Sequence, residues 1–262
     1  MDNDDLSHLA IYERRNLIRD LVAERGKVTV DELVERFGVS AVSIRSDLKA
    51  LHHDGALVRV RGGAVMRRDD EDLPISVKEN LHHAEKVRIA ELAAKMIEDG
   101  DTVILDSGTT TAELAKKIRT LKMASINVIT NALNIAVILA GCPHVTVIML
   151  GGVLRPNSFS LSGPQAEHAL ESLYADKLFL GGDSLDPELG LMTPYLLEAQ
   201  LNAKMIQIAK QVVVVADSSK LMRRNLSVIA KFDQVDVLIT DSAAQPATIK
   251  SIRAHGVDVQ LV

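Results

Sequence analysis

Residues 102–111 read Thr-Val-Ile-Leu-Asp-Ser-Gly-Thr-Thr-Thr. An apolar, β-branched run ends at a Gly-containing turn, and three hydroxyl residues then open a segment of helical pattern over 110–119. The first-turn amides of such a helix have no intrahelical acceptors and sit at the positive end of the helix dipole. With the threonine hydroxyls they form a seat for a phosphate at the carboxyl end of a strand. The Gly-Lys-Ser/Thr ending of a nucleotide-hydrolysing loop is absent, so ATP or GTP turnover is not implied.

Working outward, the same alternation recurs. Residues 102–105, 126–129, 145–150, 178–180, 212–216, 235–239 and 257–261 read as strands; 86–98, 110–119, 132–140, 199–210 and 246–255 read as helices. Nearly all-apolar strands separated by helices predict an α/β fold with a parallel sheet covered on both faces. Five strands end in small or polar residues: Asp106, Ser107, Gly108, Thr109, Thr110 and Thr111; Thr130 and Asn131; Gly151, Gly152 and Arg155; Gly181-Gly182-Asp183; and Asp217-Ser-Ser-Lys220. Loops of this kind at one edge predict a single crevice. Arg155 and Lys220 are expected to supply positive charge there without aromatic stacking, because the chain has no Trp, three Tyr and four Phe. A small anionic, hydroxyl-rich ligand suits such a crevice, and a phosphorylated sugar fits that description.

The segment before this body differs in charge. Residues 11–68 carry 12 Lys and Arg against 8 Asp and Glu, a balance of +4, whereas the rest carries −9 of the chain's net −5. A helix over 11–25 places Ile11, Ile18, Leu21 and Val22 on an apolar side. Thr29-Val-Asp-Glu32 is a capping box opening a short helix that ends at Phe37, with Gly38 as its stop. Ser40 caps a third helix from Ala41 to about Leu51. Its outward side is Val42, Ser43, Arg45, Ser46 and Lys49; Ile44, Leu48 and Leu51 face inward. Two helices joined by a tight turn make a helix-turn-helix whose second member can enter a major groove. Arg59 and Arg61, followed by Gly-Gly, read as a small basic hairpin or wing. A charge run, Met66-Arg-Arg-Asp-Asp-Glu-Asp-Leu-Pro74, reads as a linker.

Composition excludes several classes. One cysteine, Cys142, rules out a disulfide framework and a Cys-based zinc site, and is expected to be a small buried residue. The pairs His52-His53 and His82-His83 lack metal-site spacing and are expected to be solvated. Asp183, Asp186 and Glu188 lack calcium-loop spacing. No metal and no cofactor are expected. The acidic start, Met1-Asp-Asn-Asp-Asp-Leu, and the short apolar runs give no expectation of a secretion signal or of membrane partnership, so a cytoplasmic location is expected.

Val28-x-Val30-x-Glu32-Leu33-x(3)-Phe37-x-Val39-Ser40-x(2)-Ser43-Ile44-Arg45-x-Asp47-Leu48, followed by Arg59-x-Arg61-Gly62-Gly63-Ala64, resembles the DeoR family of bacterial sugar-metabolism repressors. In the body, Lys86-x(2)-Ile89-Ala90, Asp106–Thr111, Thr130-Asn131, Gly151-Gly152, Gly190, Glu198, Asp217 and Lys220 are similar to that family's sensor domain in order. The resemblance spans almost the whole chain from about residue 11. Ser43, Ser46 and Arg61 stand where the family usually writes Thr, Arg and His.

The resemblance implies an N-terminal winged helix-turn-helix domain (1–66), a linker (67–80) and an α/β sensor and oligomerisation domain (81–262) similar to ribose-5-phosphate isomerase. It makes Ser43, Arg45, Ser46 and Lys49 groove residues, with Ser40 and Val42 beside them, and Arg59 and Arg61 backbone contacts. Lys86 and Glu198 join the effector residues, together with Asp183. The implied function is a non-enzymatic repressor of a carbohydrate operon, closest to the N-acetylgalactosamine branch. Its partners would be double-stranded operator DNA and a phosphorylated sugar, and it would act as a homo-oligomer, dimer or tetramer. Two alternatives are a DNA-binding activator and a sugar-phosphate isomerase using Asp183-x-x-Asp186 as an acid/base pair. The isomerase lacks a lysine in Pro187–Thr193, and loss of one member of a catalytic set costs orders of magnitude in rate.

Overall fold

The structure is a computed structural model that describes residues 10–53, 56–65 and 73–262. The acidic opening residues and the charged part of the expected linker, 66–72, lie outside the described residues. The chain divides into two compact units at Leu81–His82.

In the first unit the order is α1 (Ile11–Arg25), β1 (Lys27–Thr29), α2 (Val30–Phe37), α3 (Ala41–His53), β2 (Val58–Val60) and β3 (Gly63–Val65). The capping box at the start of α2 forms as its sequence dictates. The Glu32 amide donates to Thr29 Oγ1 at 3.2 Å, and Glu32 Oε2 accepts from the Thr29 amide at 2.7 Å. Gly38 at φ 62° closes α2, its amide donating to Val34 O. Ile18, Leu33, Phe37, Ile44, Leu48 and Leu57 are fully buried together. Each such side chain contributes about 1.5–3 kcal/mol.

Three details depart from the expectation. Ile11 is exposed, and Arg14 takes the buried place one turn later. A strand, β1, precedes α2 and pairs with β3, so the wing is a three-stranded sheet in the order β1-β3-β2. Gly63 is required there, since a Cβ would fall 2.1 Å from Val28 O. The expected linker is not wholly irregular either: Ile75–Lys78 forms one helical turn, α4.

The second unit holds α5 (His83–Ala94), β4 (Thr102–Leu105), α6 (Thr109–Ile118), β5 (Ile126–Thr130), α7 (Leu133–Leu139), β6 (Val145–Met149), β7 (Val153–Arg155), β8 (Ser160–Ser162), α8 (Pro164–Leu170), β9 (Ala175–Gly181), β10 (Ser184–Asp186), β11 (Gly190–Thr193), α9 (Leu196–Ile208), β12 (Ala209–Val215), β13 (Ser227–Ala230), β14 (Val237–Thr240), α10 (Pro246–Arg253) and β15 (Asp258–Leu261). The seven expected strands form one sheet, ordered β15-β14-β12-β9-β4-β5-β6, and every pair is parallel.

Alternate residues explain the continuous apolar runs. Ile104, Leu178, Leu180, Val212 and Val214 enter one core with α8, α9 and α10; Val103, Leu105, Phe179, Val213 and Val215 enter the other with α5, α6 and α7. Strands buried on both faces cannot afford polar alternation. The chain order reverses at β4: β5 and β6 lie on one side of it, and β9, β12, β14 and β15 on the other. The helix α8, the hairpin β7–β8 and the small sheet β10-β11-β13 were not foreseen, because each strand has only three or four residues and mixed polarity.

Candidate functional site

The first unit carries exposed cations on α3 and on β2 with the turn after it. Ser40 opens α3, its Oγ accepting from the Ser43 amide at 3.2 Å and lying 3.0 Å from Ser43 Oγ. Val42, Arg45, Ser46 and Lys49 are exposed and Ser43 is half-buried, while Ile44 and Leu48 anchor the opposite side. Arg59 and Arg61 are exposed on β2 and the turn after it. The exposed or half-buried residues of this unit thus include hydroxyls at a helix N-terminus and four cations, the kinds of group that contact phosphates and base edges.

Sequence reasoning missed what holds this helix. Asp47 on α3 is 1% exposed, and its carboxylate accepts from Arg14 Nε at 2.7 Å and Arg15 Nε at 3.0 Å. Both arginines come from α1, so a buried charge network ties the first helix to the third. Asp47 stands between Arg45 and Lys49 on α3, and a helical carboxylate in that company reads as solvated unless the partner helix is known.

In the second unit the five predicted strand ends belong to five adjacent strands, β12-β9-β4-β5-β6. The reversal of strand order between β4 and β9 leaves their following loops on opposite sides, the geometry of an α/β ligand crevice. The two loops touch: a Cβ on Gly181 would lie 3.6 Å from Asp106 Oδ2. Gly108 begins α6 and provides no side-chain cap, so the amides after it are left to another acceptor. Ser107, Gly108 and Thr109 are half-buried.

Not every predicted hydroxyl faces that space. Thr111 Oγ1 donates to Asp106 O at 2.7 Å, and Thr130 Oγ1 donates to Leu105 O at 2.7 Å. Both shape the turns rather than offer a hydroxyl to a ligand. Thr110 is buried. Asn131 is fully buried, with Nδ2 donating to Leu161 O at 3.2 Å and no partner on Oδ1. Gly151 and Gly152 are exposed, Lys86 is buried on α5, and Lys220 is half-buried in a single 3-10 turn, Ser218–Lys220.

Charge converges at Asp106. Burial, and after it the Glu198 carboxylate, pushes the Asp106 carboxyl well above its ordinary range; Asp183 adds to the effect. Asp183 accepts from Thr193 Oγ1 at 3.1 Å. Glu198, in the first turn of α9, accepts from Arg155 Nη1 at 2.8 Å and from Ser160 Oγ at 2.9 Å. The Arg155 guanidinium lies 3.2 Å from the centroid of the Tyr195 ring, a cation–π contact. Arg155 is thus both paired and stacked, on an aromatic that the sequence left aside.

The loop bearing Lys220 is clamped from outside. Asp241 Oδ1 accepts from the Ser218 amide at 2.6 Å, and its Oδ2 accepts from the Ala243 amide at 3.1 Å. Burial opposes ionisation of Asp241, but these amides outweigh it and hold its carboxyl below the usual range. Thr240-Asp241-Ser242 is a sixth polar strand end, the same signal as the other five.

Asp186 is no partner for Asp183 in acid/base chemistry. Its Oδ1 accepts from the Glu188 and Leu189 amides, and Arg224 Nε donates to its Oδ2 at 2.5 Å. Burial would raise its pKa, but Arg224 and the two amides hold it low. A carboxylate fixed in this way is a turn anchor. Among the described residues no group of three or more His, Cys, Asp or Glu could hold a metal ion, and no helix is long and apolar enough to cross a membrane.

Comparison with known proteins agrees with this division. The DeoR-like helix-turn-helix domain matches residues 14–69, and the DeoR C terminal sensor domain matches residues 81–242. The chain is 38% identical over 255 residues to an Escherichia coli O157:H7 protein named for transcriptional repression of the aga operon, covering 95% of this chain and 93% of that one. It is 35% identical to the transcriptional repressor AccR of Agrobacterium fabrum, covering 89% and 90%. A ribose 5-phosphate isomerase A from Methanocaldococcus jannaschii overlaps 54% of this chain and 55% of its own at 18% identity and a TM-score of 0.40, too distant to bear on the ligand. With both domain matches in chain order and relatives of this identity over nearly full length, the chain belongs to the DeoR family, a DNA-binding helix-turn-helix followed by a sensor domain.

Proposed function

We propose that this chain is a transcriptional repressor of a carbohydrate catabolic operon, in the amino-sugar group, released from its operator by a phosphorylated sugar. It acts in the cytoplasm as a homo-oligomer. The observation that carries the proposal is the convergence of β4 and β9 at the reversal of strand order, where α6 begins without a side-chain cap. Uncapped amides at a helix N-terminus favour a phosphate, and the half-buried Ser107 and Thr109 favour a polyol. Arg155, Glu198 and Asp183 supply directional groups for sugar hydroxyls.

The crevice binds without turnover, since Asp186 is committed to Arg224. One reading helix offers few base contacts, so specific binding uses paired half-sites. The effector must bind the DNA-releasing state more tightly than the other, because equal affinity switches nothing.

The test is anisotropy of a labelled duplex carrying the chain's own promoter, titrated with protein in the presence of hexose and hexosamine phosphates. At least one phosphosugar is expected to weaken binding tenfold or more, and its unphosphorylated form to fail. Binding that no phosphosugar alters refutes the effector claim.

A further inference from the structure

From Met123 to Leu154 the chain carries no Asp, Glu, Lys or Arg, and from Met123 to Ala166 its one such residue is Arg155. A quarter of the chain is charged, so 44 ordinary residues would carry about eleven. No other charge-free run exceeds nine residues. The single cation does not serve the surface either, because Arg155 pairs with Glu198 and stacks on Tyr195.

This stretch is not simply core. It supplies β6, which ends the seven-stranded sheet, together with α7 and the hairpin β7–β8. Leu133 and Val137, one turn apart on α7, are exposed, as are Met149 at the end of β6 and Val153, Leu154 and Phe159 on the hairpin. Helix and hairpin form one continuous surface: the Leu133 amide donates to Phe159 O at 2.9 Å, and Ala132 bridges Ser160. Edge strands that face water are normally guarded by charge, proline or a bulge. Val145-Thr-Val-Ile-Met149 has neither a charge nor a proline, and it pairs with β5 in unbroken register.

A surface of this kind needs an equally uncharged partner, because charges desolvated against it would find nothing to pair with. The same face on a second copy meets that requirement, and a two-fold axis brings a patch onto itself. The choice of a second copy rests on the DNA-binding reading, which calls for paired reading helices. We propose that α7, the β6 edge and the β7–β8 hairpin form a two-fold interface between two copies of this chain.

The test is the mass of the full-length protein in solution, by light scattering after size exclusion at micromolar concentration. Val137 and Val153 are 67% and 66% exposed, so Val137→Lys and Val153→Lys leave the single chain's packing intact. The parent is expected to be a dimer or larger, and each variant to have half its mass or less with an unchanged far-ultraviolet spectrum. Should either lysine variant lose its spectrum, the double variant Val137→Ser/Val153→Ser replaces it, with the same expected halving. A monomeric parent overturns the proposal, and so does a parental mass in folded variants. Loss of the oligomer in Leu226→Lys alone, at an 83% exposed site outside this face, overturns it too. A dimeric parent that binds no promoter duplex instead defeats the DNA-binding reading and leaves the interface standing.

Discussion

Asp47→Asn removes one negative charge from the interior of the first unit and leaves the shape almost unchanged. In the parent, Asp47 is 1% exposed and accepts from Arg14 at 2.7 Å and Arg15 at 3.0 Å, with the Arg14 side chain 9% exposed. The neutral amide cannot balance two guanidiniums, so Arg14 becomes an uncompensated buried cation. Breaking a buried pair from one side costs about 3–5 kcal/mol. The Arg15 contact is partly exposed and adds about 0–1 kcal/mol. A unit of this size has a total stability of roughly 3–8 kcal/mol. The substitution therefore takes away most of it, and α3 loses its anchor to α1. In urea titrations followed by circular dichroism, an early transition should separate from that of the second unit, and duplex binding should fall with it while phosphosugar binding persists. Replacing both partners, as in Arg14→Leu/Asp47→Leu, should recover most of the loss, since an apolar pair leaves no buried charge. An Asp47→Asn protein that unfolds within about 0.5 kcal/mol of the parent would show that the network carries no stability, and the reasoning would fail.

Further tests address other parts of the molecule. Arg45→Ala should weaken operator binding by about 1–3 kcal/mol, read by anisotropy, and unchanged affinity would place Arg45 outside the interface. Thr109→Glu puts a negative charge at the first position of α6 and should abolish the phosphosugar response while leaving duplex binding intact; a normal response means the seat lies elsewhere. Asp106 holds its proton to higher pH when folded than when unfolded, so its ionisation opposes folding increasingly as pH rises above its ordinary value of 3.8. Asp106→Asn should therefore gain stability relative to the parent as pH increases from 4 toward neutrality, and a pH-independent difference contradicts the assignment. Gly63→Ala drives a methyl to 2.1 Å from Val28 O and should separate β3 from β1, lowering the melting temperature of the first unit without touching the second.

Local chemistry was enough to locate the elements that are long or capped. Thr29 with Glu32, Gly38 and Ser40 marked the ends of α2 and the start of α3, because a cap is satisfied by residues two or three positions away. All seven strands of the parallel sheet were legible: the inner ones as apolar runs, since burial on both faces leaves no other composition, and the edge strands β6 and β15 from their β-branched residues and, in β15, a partly polar alternation. The strand-end loops were legible for a related reason: a tight turn from a buried strand into a helix needs small or hydroxyl residues whichever strands flank it.

The sequence by itself determined the fold class, the charge difference between the two units and the positions of the polar strand ends, all of which follow from composition, periodicity and short-range hydrogen bonding. Only the tertiary structure decided the pairings. It joined Asp47 to Arg14 and Arg15 across more than 30 positions, laid Arg155 on Tyr195 and Glu198, took Asp186 for Arg224, and turned Thr111 and Thr130 into their backbones. The physical reason is that a polar side chain's role depends on which partner lies within about 3 Å once it is desolvated. That distance is set by the packing of distant segments and has no trace in the order of neighbouring residues.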